Sequence, residues 1–254
     1  MKLVLFLGLG YLAYAAVMVW LHPRFIYPFS PEGGVLPGFS ERELTARDGT
    51  PLYVQEHKGD GPVLVYFMGN AGALPLFESA FDRHIRAGRH IIAMEYRGGG
   101  GRPGVPREAR LKSDALIVME EAEKLGRPVI VQGYSMGSGL ATFVAARRKV
   151  AGVVLVNPFD SMCRLMSARS YLPACRLPFV DHWRSFTEAG KVEVPILVLH
   201  GDADQMIPPA YSTAFEALPN VTRRLIAGAA HGDIGSFPAF GETLDAFIET
   251  LPQN

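Results

Sequence analysis

The distribution of apolar and polar positions divides the chain into an uncharged opening run, a broken connector and a long alternation of two periodicities. Leu3 to Leu21 (LVLFLGLGYLAYAAVMVWL) spans 19 residues without a charge. As a helix it reaches roughly 28 Å, close to the ~30 Å hydrocarbon core of a bilayer. Trp20 stands where an interfacial ring belongs, and Lys2 and Arg24 flank the run. Three expectations compete: an uncleaved signal anchor over residues 1–22, a signal peptide cleaved near Ala13-Tyr14-Ala15, and a helix buried in a soluble domain. The apolar run continues past the cleavage-like site through Val17 and Trp20, which favours the anchor. Lys2 and the amino terminus on one side, against Arg24 on the other, favour the amino terminus inside and the remainder outside.

Residues 23–40 hold four Pro and three Gly and read as a connector laid along a surface. From residue 41 onward strand-like and helix-like patterns alternate. Apolar runs at Leu52–Glu56, Val63–Met68, His90–Tyr96, Val129–Gly133, Val153–Asn157, Ile196–His200 and Arg223–Ala227 read as strands. Several are continuous rather than alternating, as in strands covered on both faces. Between them lie amphipathic helical stretches, clearest over Arg107–Leu125 and again from Ser135 to Arg148 and over Ser236–Leu251. Strands alternating with helices predict an α/β domain with a mostly parallel sheet, whose ligands meet the carboxyl ends of the strands. About 37 residues between Asn157 and Val194 lack a strand signal and read as an inserted helical cap over about 158–193.

Composition narrows the function classes. Lys plus Arg equals Asp plus Glu at 25 each, which argues against a nucleic-acid binder with a general basic field. Two cysteines are too few for a disulfide scaffold or a structural zinc site. No cluster implies a metal or an organic cofactor.

The candidate chemistry stands at strand ends. Gly133-Tyr134-Ser135-Met136-Gly137 follows one strand run and opens a helix. Glycines two before and two after a serine relieve the crowding of a sharp strand-to-helix turn, which exposes Oγ near a helix amino terminus. A second candidate site is His200-Gly201-Asp202-Ala203-Asp204, where either aspartate is suited to orient a catalytic histidine. Asp202 is closer to the strand end, where a turn hydrogen bond is the commoner role. The third is Gly228-Ala229-Ala230-His231-Gly232-Asp233, whose small neighbours leave room for His231 to approach Ser135. His200 reads as a satisfied core histidine and His182 as a cap residue. The order Ser, Asp, His on successive strand ends is that of a nucleophile-elbow triad. Gly69-Asn70-Ala71-Gly72 follows another strand, and the amides of Asn70 and Met136 are candidate oxyanion donors.

With these residues in place the chain resembles the α/β-hydrolase superfamily, in particular N-terminally anchored, serine-aminopeptidase-like hydrolases. The resemblance rests on FIYP, DGTPLY, VYFMGNAG, EYRG, GYSMGSG, VPILVLHGDADQMIP and AGAAHGD, from about residue 25 to the C-terminus. It implies an eight-stranded sheet and assigns the acid to Asp204, the second aspartate of HGxxD. Met68 stands where the family has the histidine of HGNAG, a departure that keeps the backbone donors and loses side-chain hydrogen bonds. The resemblance implies ester, thioester or peptide hydrolysis by Ser135, Asp204 and His231, with carboxylesterase or lipase-like chemistry ahead of an aminopeptidase. The rival reading is a silent, membrane-tethered binding protein on the same fold. Leu165, Met166, Tyr171, Leu172, Leu177, Phe179 and Trp183 give the cap an apolar character suited to a lipid-like acyl substrate, or simply to packing. Cys163 and Cys175 also lie in the cap; outside the cytoplasm they are expected to form a disulfide.

Overall fold

Eight strands hydrogen-bond in the order β1-β2-β4-β3-β5-β6-β7-β8 in the computed structural model, which describes residues 2–252. They are β1 (Ser40–Thr45), β2 (Pro51–His57), β3 (Val63–Phe67), β4 (His90–Met94), β5 (Val129–Tyr134), β6 (Gly152–Val156), β7 (Ile196–Gly201) and β8 (Val221–Ile226). The helices are α1 (Lys2–Ile26), α2 (Asp82–Arg86), α3 (Glu108–Glu123), α4 (Gly137–Ala145), α5 (Met162–Ser170), α6 (Ser185–Ala189) and α7 (Pro238–Glu249). The first three strands of the order pair antiparallel, and all later neighbours pair parallel.

The continuous apolar runs are the central strands. Every residue of β3, β4 and β6 is buried, because helices cover the parallel sheet on both faces. The eighth strand is β1, which the apolar pattern passed over. Its sequence SERELT has no buried residue, because it is an edge held to β2 by backbone pairing, with Ser40 opposite Glu56.

α1 runs four residues past the expected end of the anchor, through Pro23 to Ile26, and shortens the connector from its amino-terminal side. Its most apolar window has a mean hydropathy of 2.1 and is entirely unburied, which makes it a candidate membrane span and sets aside a buried core helix. The rest of the connector is pinned rather than loose. Ser30 N–H donates to Ala71 O at 2.7 Å and Gly100 N–H to Ser30 O at 2.7 Å. Tyr27 Oη donates to Asp181 and accepts from Trp183 Nε1 at 3.1 Å, which ties α1 to the cap.

Between β6 and β7 lie α5, a 3₁₀ turn at Ala174–Arg176, and α6. Trp183 is a core residue there, fully buried against Gly139 and Tyr27, rather than a pocket wall. Cys163 and Cys175 are disulfide-bonded with Cα atoms 4.8 Å apart. A bridge closing so short a loop contributes about 3 kcal/mol through the unfolded chain. Reduction, or a Cys163→Ser/Cys175→Ser pair, is therefore expected to lower Tm by roughly 5–10 °C in a thermal melt.

A second stability lever is His84, fully buried between Gln132 (Nε2 to Oε1, 3.1 Å) and Arg89 (Nη1 to Nδ1, 3.0 Å). Burial, then the Arg89 charge, pushes its imidazole down to about 3. The native state holds His84 neutral while the unfolded chain protonates it near 6.5. Its contribution is fully present above that value and is lost as pH falls towards 3. Denaturant titrations across this window should show stability falling by up to ~1.4 kcal/mol per pH unit from this group. A His84→Gln variant should show a shallower slope.

Candidate active site

Ser135 occupies the turn between β5 and α4 with φ 52°, a left-handed conformation that is strained for a residue with a side chain. The flanking glycines make this turn possible. A Cβ on Gly133 would lie 2.4 Å from Gly137 O, and one on Gly137 would lie 2.1 Å from Phe67 O. Ser135 N–H donates to Val156 O at 2.8 Å, and Ser138 Oγ donates to Ser135 O at 2.6 Å, locking the turn to β6 and α4.

Three of the sequence candidates converge. His231 Nε2 lies 3.0 Å from Ser135 Oγ, and His231 Nδ1 lies 2.6 Å from Asp204 Oδ2. The other oxygen of Asp204 accepts the amides of Met206 and Ile207, both at 2.8 Å. Burial on its own would raise the Asp204 carboxyl. Contacts from His200 and His231 and the Ile207 amide outweigh it and hold the group well below the usual carboxylate range. Asp202 points elsewhere: its Oδ1 accepts Gly228 N–H at 2.7 Å, tying the β7 and β8 loops together. His200 is buried, with Nε2 donating to Ile207 O at 2.8 Å and standing 3.5 Å from Asp204. His182 lies in the cap with Nε2 2.9 Å from Leu177 O.

Asn70 follows β3, and Met136 follows Ser135 at the start of α4. Among the described residues neither of their amides finds an acceptor in the protein. Met68, where a histidine was expected, is fully buried, and its carbonyl accepts Tyr96 Oη at 2.7 Å. A buried tyrosine thus braces the start of this loop. Phe29 packs against Gly72 further along the same loop.

Two residues that pattern reading passed over hold the histidine loop. Asn157 directly follows β6 with φ 47°, donates from Nδ2 to His231 O at 2.9 Å and accepts Gly201 N–H at 2.9 Å on Oδ1. Tyr134 Oη donates to the same His231 carbonyl, and its ring lies 5.3 Å from the imidazole. Burial, then the Asp204 charge, raises the Tyr134 phenol, so it stays a donor. An asparagine at the end of an apolar strand run was the one available signal, since asparagine tolerates positive φ. Replacing Asn157 with Ala is expected to lower kcat roughly tenfold, as a buried hydrogen-bonding group is removed from both loops. A steady-state kcat and KM split checks it, because a positioning role leaves KM nearly unchanged.

A cavity of about 550 Å³ opens beside the imidazole, walled by Asn70, Phe77, Tyr134, Met206, His231 and Phe240 among others. No group of three or more His, Cys, Asp or Glu able to hold a metal exists among the described residues.

The family model for the α/β-hydrolase fold matches residues 62–171. An uncharacterized protein of Mycobacterium tuberculosis is 28% identical over 243 residues, covering 85% of this chain and 83% of the relative. A lysophosphatidylserine lipase of Danio rerio is 26% identical over 212 residues, covering 70% of this chain and 54% of the relative. Among solved structures, a Pyrococcus furiosus esterase superposes with a TM-score of 0.68 at 16% identity, covering 84% of this chain and 92% of the esterase.

Proposed function

The chain belongs to the α/β-hydrolase superfamily, and on that premise we propose that it is a membrane-anchored serine hydrolase of acyl esters. The observation that carries this reading is the unbroken contact line Asp204–His231–Ser135, ending on a strained elbow beside two free amides. His231 Nε2 takes the Ser135 proton as Oγ bonds to the acyl carbonyl carbon. The carbonyl electron pair moves to oxygen, where the Asn70 and Met136 amides meet it. Collapse of the tetrahedral adduct breaks the bond to the leaving oxygen, which receives its proton from His231. Water, deprotonated in turn by His231, then releases the carboxylic acid and restores Ser135. Asp204, anionic throughout, holds the imidazole tautomer and stabilises the imidazolium.

The name of the Danio rerio relative supports a lipid ester as substrate, as does the candidate membrane span ahead of the domain. The cap disulfide supports an oxidising compartment, with the amino terminus inside and the catalytic domain outside. A free-thiol assay on unreduced membranes checks this placement; two reactive cysteines would reverse it.

Fluorophosphonate labelling tests the function. The expected adduct, located by mass spectrometry, sits on Ser135 and disappears in Ser135→Ala. Folded protein that takes no label overturns the reading and moves a silent binding protein to the front.

A further inference from the structure

The cap does not stop at the end of α1; it lies alongside the helix. Tyr14 Oη donates to Ser170 O at 2.9 Å, and Tyr11 Oη to Tyr171 O at 3.2 Å. At 1.5 Å per residue, Tyr11 is about 22 Å along the helix from Ile26. The stretch of α1 clear of the cap, Lys2 to Gly10, is then only about 13 Å long, against a hydrocarbon core of ~30 Å. If α1 crosses a bilayer, the tip of the cap must be seated in the membrane with it. The surface of the cap fits that position: Tyr171, whose carbonyl accepts the Tyr11 hydroxyl, is 87% exposed, and Phe179 is 79% exposed. Arg169 and Arg176 share this region, which sets the depth at the boundary between headgroups and chains, where arginine stems lie in apolar surroundings and the guanidinium reaches water.

Along this seam runs a second cavity of about 330 Å³, a volume in the range of small-ligand sites. One wall is α1, with Met18, His22 and Ile26; the other is the cap, with Leu165, Met166 and Leu177. Its lining is apolar apart from His22, Ser170 and Arg169. His22 is engaged, its Nε2 accepting Arg107 at 3.1 Å and the Asp181 amide at 3.3 Å. Arg169 connects the seam to the active site: it donates to Met206 O, and Met206 both lines the larger cavity and gives its amide to Asp204.

We propose that this seam is a binding slot for one acyl chain of a membrane lipid, the chain whose ester is presented to Ser135. The proposal rests on the serine-hydrolase reading for the identity of that ester, and on the α1–cap geometry alone for the slot. The occupant is a lipid chain because one wall is the candidate span itself, so the slot opens where that helix meets lipid.

The test uses the full chain in phosphatidylcholine vesicles. In Ser135→Ala, a phosphatidylcholine with a diazirine in one acyl chain is irradiated and the adducts are mapped by mass spectrometry. Adducts are expected within 162–180 as well as on the outer residues of α1. Met166→Trp, which fills the slot, should remove the cap adducts and keep those at Leu5–Leu9. Met18→Trp fills it from the half-exposed helix side and guards against a folding defect. On the Ser135 background both variants should lower the ratio of long- to short-chain ester turnover about tenfold, the equivalent of two methylene contacts at ~0.8 kcal/mol each. Adducts confined to α1 or an unchanged chain-length ratio would each overturn the slot. Failure of the hydrolase reading looks different: no short-chain ester is turned over by the unmodified protein, while the adduct map still reports on the slot.

Discussion

Ester turnover by Ser135→Ala is expected to fall by roughly four to six orders of magnitude, leaving only the residual rate that binding and oxyanion donors sustain. The size of the effect follows from the geometry. Ser135 Oγ lies 3.0 Å from His231 Nε2, and alanine removes both the proposed nucleophile and the proton that the imidazole would take. Stability should change little, because position 135 holds the same strained φ of 52° in either variant and, among the described residues, Oγ bonds only to His231. Turnover of a short-chain aryl ester by the purified variant, alongside a thermal melt, separates the two quantities. A rate within tenfold of the parent would place the chemistry on another residue.

The second large effect separates two aspartates two residues apart. Asp204→Ala is expected to lower kcat by roughly 10³–10⁴-fold, the loss seen when a triad histidine keeps its place but loses its orienting carboxylate. Asp202→Ala should cost about 1 kcal/mol of stability through the lost bond to the Gly228 amide, with most of the activity retained. The reverse pattern would move the acid to Asp202. Because Asp204 is held far below the usual carboxylate range, it stays ionised through any ordinary assay pH. Loss of activity on mild acidification must then come from another group.

These two residues also mark how far pattern reading carries. Turn chemistry and strand position left Asp202 and Asp204 as alternatives, and the family resemblance chose Asp204. In the fold the difference is one of direction. Asp202 stays with its neighbouring loop, while Asp204 turns inward to within 2.6 Å of His231, 27 residues away. Likewise the resemblance left the Met68 loop without its histidine bonds. The Tyr96 hydroxyl that supports the loop comes from 28 residues further along the chain, where nothing local announces it. The clamp of Asn157 and Tyr134 on the His231 carbonyl has the same character, with separations of 74 and 97 residues.

What the chain determines on its own is whatever short-range sterics and periodicity decide. Burial on both faces writes continuous apolar runs into β3, β4 and β6; a sharp elbow writes Gly133 and Gly137 around Ser135; an uncharged run long enough to cross a bilayer is visible from composition. Tertiary structure decided the remainder. It added β1, whose stability lies in backbone pairing that leaves no apolar signature. It placed Trp183 in the core and Tyr171 at the surface, although both read alike as apolar cap residues. It laid the cap along α1 and so formed the seam between them. The physical reason is that spacing along a chain specifies which face of an element is apolar, whereas which surfaces meet, and what lies trapped between them, depends on contacts among residues far apart in sequence.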